Sequence, residues 1–249
     1  METNPLIREI LERQLSSLSQ PTQRLENGGK QTALLGQSSS SPVDSQEALE
    51  KWLATYAPEW KPCSEEIRCL GLSVASWARG SIIRRPGIPK LLVIPGVSGI
   101  GKSMLARAVK DYWSGGIDIA WERGKWPSFE KPCVMFCAWP TLAMEEPEKH
   151  SKYWSDVVKA HLLILDDVGA EVDRYKTGVT VENLRMMMEK RHYGNGYTII
   201  TTNHQPAEWA KFWDSRVEDR MYRQSHIANT DGCQPFSTLE RIPSYEQGD

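Results

Sequence analysis

Four short, largely apolar runs punctuate this chain: Leu91–Ile94, Val134–Cys137, Leu162–Leu165 and Tyr197–Thr201. Each is too short for a stable helix and lacks a clean polar–apolar alternation. They read as strands buried on both faces, the pattern of a parallel sheet. Between them the spacing turns helical. Met104–Trp113 follows the first run, a short helix opens at Thr141–Met144, and Val181–Arg191 carries Leu184, Met187 and Met188 on one face. The Met cluster is read as core packing rather than a binding surface. Strands alternating with helices, without internal repeats, predict an α/β fold with helices on both sides of the sheet.

Upstream, Asn4-Pro5 is a helix start, and Leu6, Ile7, Ile10, Leu11, Leu15 and Leu18 share one face. A helix this short is marginal alone, so its apolar stripe needs a partner, either the core or another protein. Residues 1–20 are taken as this N-terminal amphipathic helix and a candidate partner-binding element. Residues 21–43, with Ser38-Ser39-Ser40-Ser41, form a flexible linker. The remaining segment, 44–249, is one domain. Its second helix starts near Asp44 with Leu49, Trp52, Leu53 and Tyr56 buried, and its third at Ser64-Glu65-Glu66 with Ile67, Leu70, Val74 and Trp77 inward. Gly80 is the expected end of that third helix. From Arg79 to Lys90 the chain has Arg79, Arg84, Arg85 and Lys90 and no acid, which describes a solvated connector or a phosphate-facing patch. Glu145 to Lys149 is read as a charged loop.

A net charge of −2 over 249 residues excludes a global basic field, so any nucleic-acid contact must be local. No apolar run approaches membrane-spanning length and no signal-peptide pattern opens the chain, so the expectation is a cytoplasmic protein with no membrane partner. The five cysteines lack zinc-ligand spacing. They are read as reduced, buried thiols, with Cys133 and Cys137 on one strand and too far apart to bridge.

The first strand runs into Gly96-Val97-Ser98-Gly99-Ile100-Gly101-Lys102-Ser103, a G-x-x-x-x-G-K-S pattern followed by a helix. That context builds a phosphate cradle. Glycines let backbone N–H groups converge, and the helix points its positive end at the same place. Lys102 can reach the β- and γ-phosphates of a nucleotide, and the Ser103 hydroxyl can ligate Mg²⁺. The third strand ends in Asp166-Asp167, where the first acid suits Mg²⁺ and the second suits an attacking water. The fourth ends in Asn203, either a neutral amide beside the γ-phosphate or the cap of a helix around Pro206–Phe212. Arg216 and Arg220 lie one turn apart among acids. They make either an intrahelical salt-bridge ladder or an arginine that reaches the phosphate of a neighbouring subunit.

From about residue 65 onward the chain resembles the AAA+ ATPases of the DnaC/IstB group, most of all its DnaC-type helicase loaders. The stretches that carry the resemblance are LLVIPGVSGIGKSMLARAV, HLLILDDVGAE, YTIITTN and SRVEDRMYR, in the group's order. The resemblance implies a P-loop AAA+ three-layer domain with a five-stranded parallel sheet in the order 5-1-4-3-2, after a small helical N-terminal region. It assigns Gly96 to Ser103 to Walker A, Asp166 and Asp167 to Walker B, Asn203 to sensor 1 and Arg220 to the arginine finger.

The activity implied is ATP hydrolysis by a loader that binds a hexameric DnaB-type helicase and single-stranded DNA. It would work as a ring or spiral of copies and release its clients on hydrolysis. The alternatives are an IstB-like helper of a DNA transposase and a nucleotide-locked binding module. The last is motivated by Pro243-Ser244-Tyr245-Glu246, where the group commonly places a sensor 2 arginine. Candidate DNA contacts are Arg84, Arg85, Lys125 and Lys131. Trp121, Trp126 and Trp139 are stacking candidates, with core packing as the competing role.

Overall fold

Strand residues divide between two hydrophobic cores, and this division sets the architecture. In a computed structural model, residues 45–62, 64–122, 133–144, 151–171, 178–194 and 196–236 are described, with the side chains of 117–122 and 151 left aside. The strands are β1 (Leu91–Ile94), β2 (Val134–Ala138), β3 (Leu162–Val168), β4 (Tyr197–Thr202) and β5 (Ser225–Ile227). Every pairing is parallel and the order is β2-β3-β4-β1-β5, the expected 5-1-4-3-2 read from the other edge.

Because successive side chains point to opposite faces, Leu92 and Ile94 join Leu162, Ile164 and Ile199 in one core, while Val93 joins Leu163, Leu165 and Ile200 in the other. Helices α1 (Gln46–Tyr56), α2 (Glu65–Ile82) and α3 (Lys102–Glu122) close the first core with Trp52, Leu70, Val74, Trp77, Leu105 and Trp113. The second is closed by α4 (Trp139–Leu142), α5 (Ser151–Lys159), α6 (Val179–His192), α7 (Trp209–Phe212) and α8 (Ser215–Arg223). Met187 and Met188 are buried there, as the spacing predicts.

Caps explain several boundaries. Ser45 accepts from the Ala48 N–H at the start of α1, and Ser64 from the Ile67 N–H at the start of α2. Asp214 accepts from Arg216 and Val217 at the start of α8.

Some expectations need correction. Helix α2 does not end at Gly80 but continues to Ile82. Ser81 and Ile82 are fully buried, and a Cβ at Gly80 would come within 2.8 Å of Ile88, so this glycine serves close packing. Arg79 is buried within the same helix, not part of a solvated connector. The helix expected from Thr141 begins at Trp139 with Pro140 in its first turn, and Trp139 packs in the core rather than offering a stacking face. Cys69 and Cys133 are exposed, against the expectation of buried thiols, and Cys133 precedes β2 instead of lying on it. Cys137 and Cys233 are buried.

The helix at 1–20, the linker at 21–43, the loop at 145–149, Cys63, Lys125, Lys131, Trp126 and Pro243–Glu246 lie outside the described residues, as does the Trp121 side chain. No described helix is long and apolar enough to cross a membrane.

Candidate functional site

Adjacent strands β3, β4 and β1 deliver three polar segments to one edge of the sheet, the carboxyl-end edge where open α/β sheets bind ligands. From β1 comes the Gly96–Ser103 loop. Gly96, Gly99 and Gly101 have φ of 125°, 86° and 85°, a region closed to most side chains, so the loop can curl its amides inward only with glycine there. Ile100 is fully buried and anchors the curl. Helix α3 starts at Lys102, which puts Ser103 in its first turn.

Lys102 is only 5% exposed, and its ammonium spends three protons on named acceptors. It donates to Gly96 O at 2.7 Å, to Val97 O at 2.9 Å and to Asn203 Oδ1 at 2.8 Å. Burial pushes its pKa down, and the charges of Asp167 and Asp166 oppose that. One cation therefore ties the Gly96–Ser103 loop to the end of β4 within the field of both acids.

The acids sit inside β3 rather than beyond it. Leu165 pairs with Ile200 and Val168 with Thr202, so three steps on β3 match two on β4. This irregularity sets Asp166 and Asp167 opposite Thr201. Asp167 has φ 60°, in the left-handed region, and Asp166 is 7% exposed. Thr201 Oγ1 donates to Asp166 Oδ1 at 2.6 Å and accepts from the Asp167 N–H at 2.9 Å. Just downstream, His204 Nε2 lies 3.2 Å from Gly169 O, so that nitrogen must carry the proton. The ring stacks on Phe212 at 3.6 Å.

Asn203 is exposed and caps no helix. The cap of the following turn is Gln205, in a reciprocal capping box with Glu208.

Residues that sequence reasoning did not single out also enclose the loop. The Phe236 N–H donates to Gly99 O at 3.1 Å, and Trp60 approaches Gly101 so closely that a Cβ there would lie 2.5 Å from its Nε1. Trp60 carried only the signal of a tryptophan between two prolines, and Thr201 that of a strand threonine.

The remaining candidates stand apart from this edge. Arg84 and Arg85 precede β1, at the opposite end of the strand from the Gly96–Ser103 loop, so they form no patch beside that loop. Arg84 hydrogen-bonds Tyr197, and Lys90 donates to Gly194 O at 2.7 Å. Arg216 is exposed in the first turn of α8. The Arg220 side chain is 17% exposed, with Nη2 4.0 Å from Glu189 on α6, and borders a small cleft with Leu91, Leu165, Met187 and Met188. The ladder expected within this helix is instead formed by Arg223 and Asp219, at 2.5 Å.

Among solved structures, the chain is similar to the DnaC helicase loader, with 17% identity over 72% of this chain and 98% of that one, and a TM-score of 0.53. The likeness is one of fold, a five-stranded parallel sheet with helices on both faces. DnaI is similar at 17% identity over 65% of this chain and 82% of that one, with a TM-score of 0.47. No protein-family model and no curated protein sequence matches the chain. This fold brings Lys102, Asp166, Asp167 and Asn203 to one edge and leaves Arg220 on another helix face.

Proposed function

We propose that this protein binds and hydrolyses ATP with Mg²⁺ and loads a replicative helicase of the DnaB type onto single-stranded DNA. The observation that carries the nucleotide part is the Lys102 ammonium, bonded to both loop carbonyls and to Asn203 while facing Asp166 and Asp167. Loop amides and Lys102 hold the phosphates. Ser103 and Asp166 supply hard oxygen donors, the chemistry that Mg²⁺ prefers while it retains most of its waters. Such a metal draws charge from the phosphates when bound.

Asp167 accepts a hydrogen bond from the attacking water, and Asn203 orients that water without adding negative charge. Arg220 serves the γ-phosphate of a neighbouring copy in a ring or spiral. To do so it exchanges its contact with Glu189, which at 4.0 Å is a weak tie. The helicase client is supported by the likeness of fold to the DnaC helicase loader, and the single-stranded DNA is the substrate that a loading role requires. The segment 1–20, on the 21–43 tether, is assigned to the client and 44–249 to the ATPase.

Calorimetry with Mg·ATP tests the first step: wild type releases heat of binding and Lys102→Ala does not. Equal heats from the two proteins would overturn the assignment. Capture of a purified DnaB-type helicase by the full chain, and its loss when residues 1–20 are removed, tests the client.

A further inference from the structure

We propose that Thr201 is the positioning residue that sets both acids of the site, through a hydroxyl that donates to Asp166 Oδ1 and accepts from the Asp167 N–H. The inference rests on the reading of Asp166 and Asp167 as the Mg²⁺-side and water-side carboxylates.

The irregularity in β3 carries the argument. Two acidic residues are presented where the β4 ladder has only one residue to oppose them, and that residue is Thr201. Such a bulge re-aims side chains and leaves backbone groups without ladder partners. Here the orphaned donor is the Asp167 N–H, and the Thr201 hydroxyl takes it at 2.9 Å. A hydroxyl has one proton to give. With a lone pair occupied by that N–H, the proton goes to Asp166 at 2.6 Å.

Thr201 is fully buried, and its bond to Asp166 is shielded from water. One oxygen of Asp166 is thereby committed, and its other oxygen is left to serve the metal shell. The same hydroxyl holds Asp167 in a left-handed conformation that a non-glycine residue seldom adopts. Charge-bearing groups that face a metal are held by an outer shell of this kind, and loss of one partner costs about 10- to 100-fold in metal affinity.

The test compares Thr201→Val, which keeps the shape and loses the hydroxyl, with Thr201→Ser, which keeps the hydroxyl. Affinity for a fluorescent ATP analogue is measured in Mg²⁺ and in excess EDTA, with melting temperature as the control for folding. Wild type and Thr201→Ser should bind more tightly with Mg²⁺. Thr201→Val should lose about tenfold of that gain while its affinity in EDTA stays at the wild-type value. If the valine does not fold, Thr201→Ala takes its place.

A hydroxyl-free variant that keeps the whole Mg²⁺ gain overturns the proposal, as does a serine variant that behaves like valine. The failure of wild type to bind the analogue at all would instead overturn the nucleotide reading beneath it.

Discussion

Lys102 and Arg191 are both buried cations on helices, and they serve opposite ends of the molecule. Arg191 is held without a carboxylate. Its guanidinium donates to Val157 O, Val158 O and Ala160 O at the end of α5, and to Thr198 Oγ1 and Tyr197 O on β4. Burial lowers its pKa to about 10, still high enough to keep it charged at neutral pH. The carbonyls at a helix end carry partial negative charge, so they suit a cation. Replacing Arg191 with Met strands up to five acceptors, and an unfolding titration should show a loss of about 2–4 kcal/mol. Asn203→Ala at the other end leaves the fold intact and the phosphate loop in place. It should retain ATP binding and lower turnover about 100-fold, the size seen when one oriented polar group is removed; unchanged turnover in a steady-state assay would deny Asn203 its role. At this scale the motif residues were legible, because their chemistry is tied to local order along the chain. Thr201, Trp60 and Arg191 were not, since each acquires its role from partners on other elements.

Elements were legible where the pattern depends on one strand or helix alone. The four aliphatic runs all became strands, and their parallel pairing followed from their apolar character on both faces. The fifth strand, Ser225–Ile227, escaped notice because Ser-His-Ile is short and polar, and it exists by pairing with Leu91–Val93. Gly80 misled for a related reason: helix propensity is a weak preference, and burial of Ser81 and Ile82 outweighs it. This edge strand carries a pH dependence. His226 Nε2 lies 2.8 Å from Ser73 Oγ on α2, and burial lowers its pKa below the ordinary 6.5. The folded state therefore takes up a proton less readily than the unfolded chain. Its contribution is fully present above 6.5 and is lost as pH falls through the folded value. Between about pH 7.5 and about pH 5.5, wild type should lose more of its melting temperature than His226→Gln, which cannot ionise. Parallel curves for the two proteins would remove His226 from the account.

The two edges of the sheet divide the labour of the whole molecule. The carboxyl-end edge collects the Gly96–Ser103 loop, both acids and Asn203, whereas Arg84, Arg85 and Lys90 lie at the amino-end edge. Arg220 belongs to neither cluster. It lies on α8 against Glu189, and none of the hydrogen bonds that join Lys102, Asn203, Asp166 and Thr201 includes it. A role at its own phosphate loop would require it to leave α6 and join that cluster. A role at a neighbour's loop requires only release from Glu189 and contact between copies. The two cases part in a mixing experiment. Arg220→Ala has an intact phosphate loop and no arginine to lend, while Lys102→Ala has the arginine and a damaged loop. Each alone should hydrolyse ATP poorly, by a factor of about 1,000 for the arginine variant if it acts as fingers of this kind do. Mixed, they should recover part of the wild-type rate, because Arg220 of one copy then faces the intact loop of another. Recovery should rise with total concentration, since it depends on contact between copies. Glu189→Ala, which frees Arg220 without touching either cluster, should leave turnover at or above the wild-type level. A mixture no more active than the sum of its parts, with both variants folded and Arg220→Ala still binding ATP, would confine Arg220 to its own subunit.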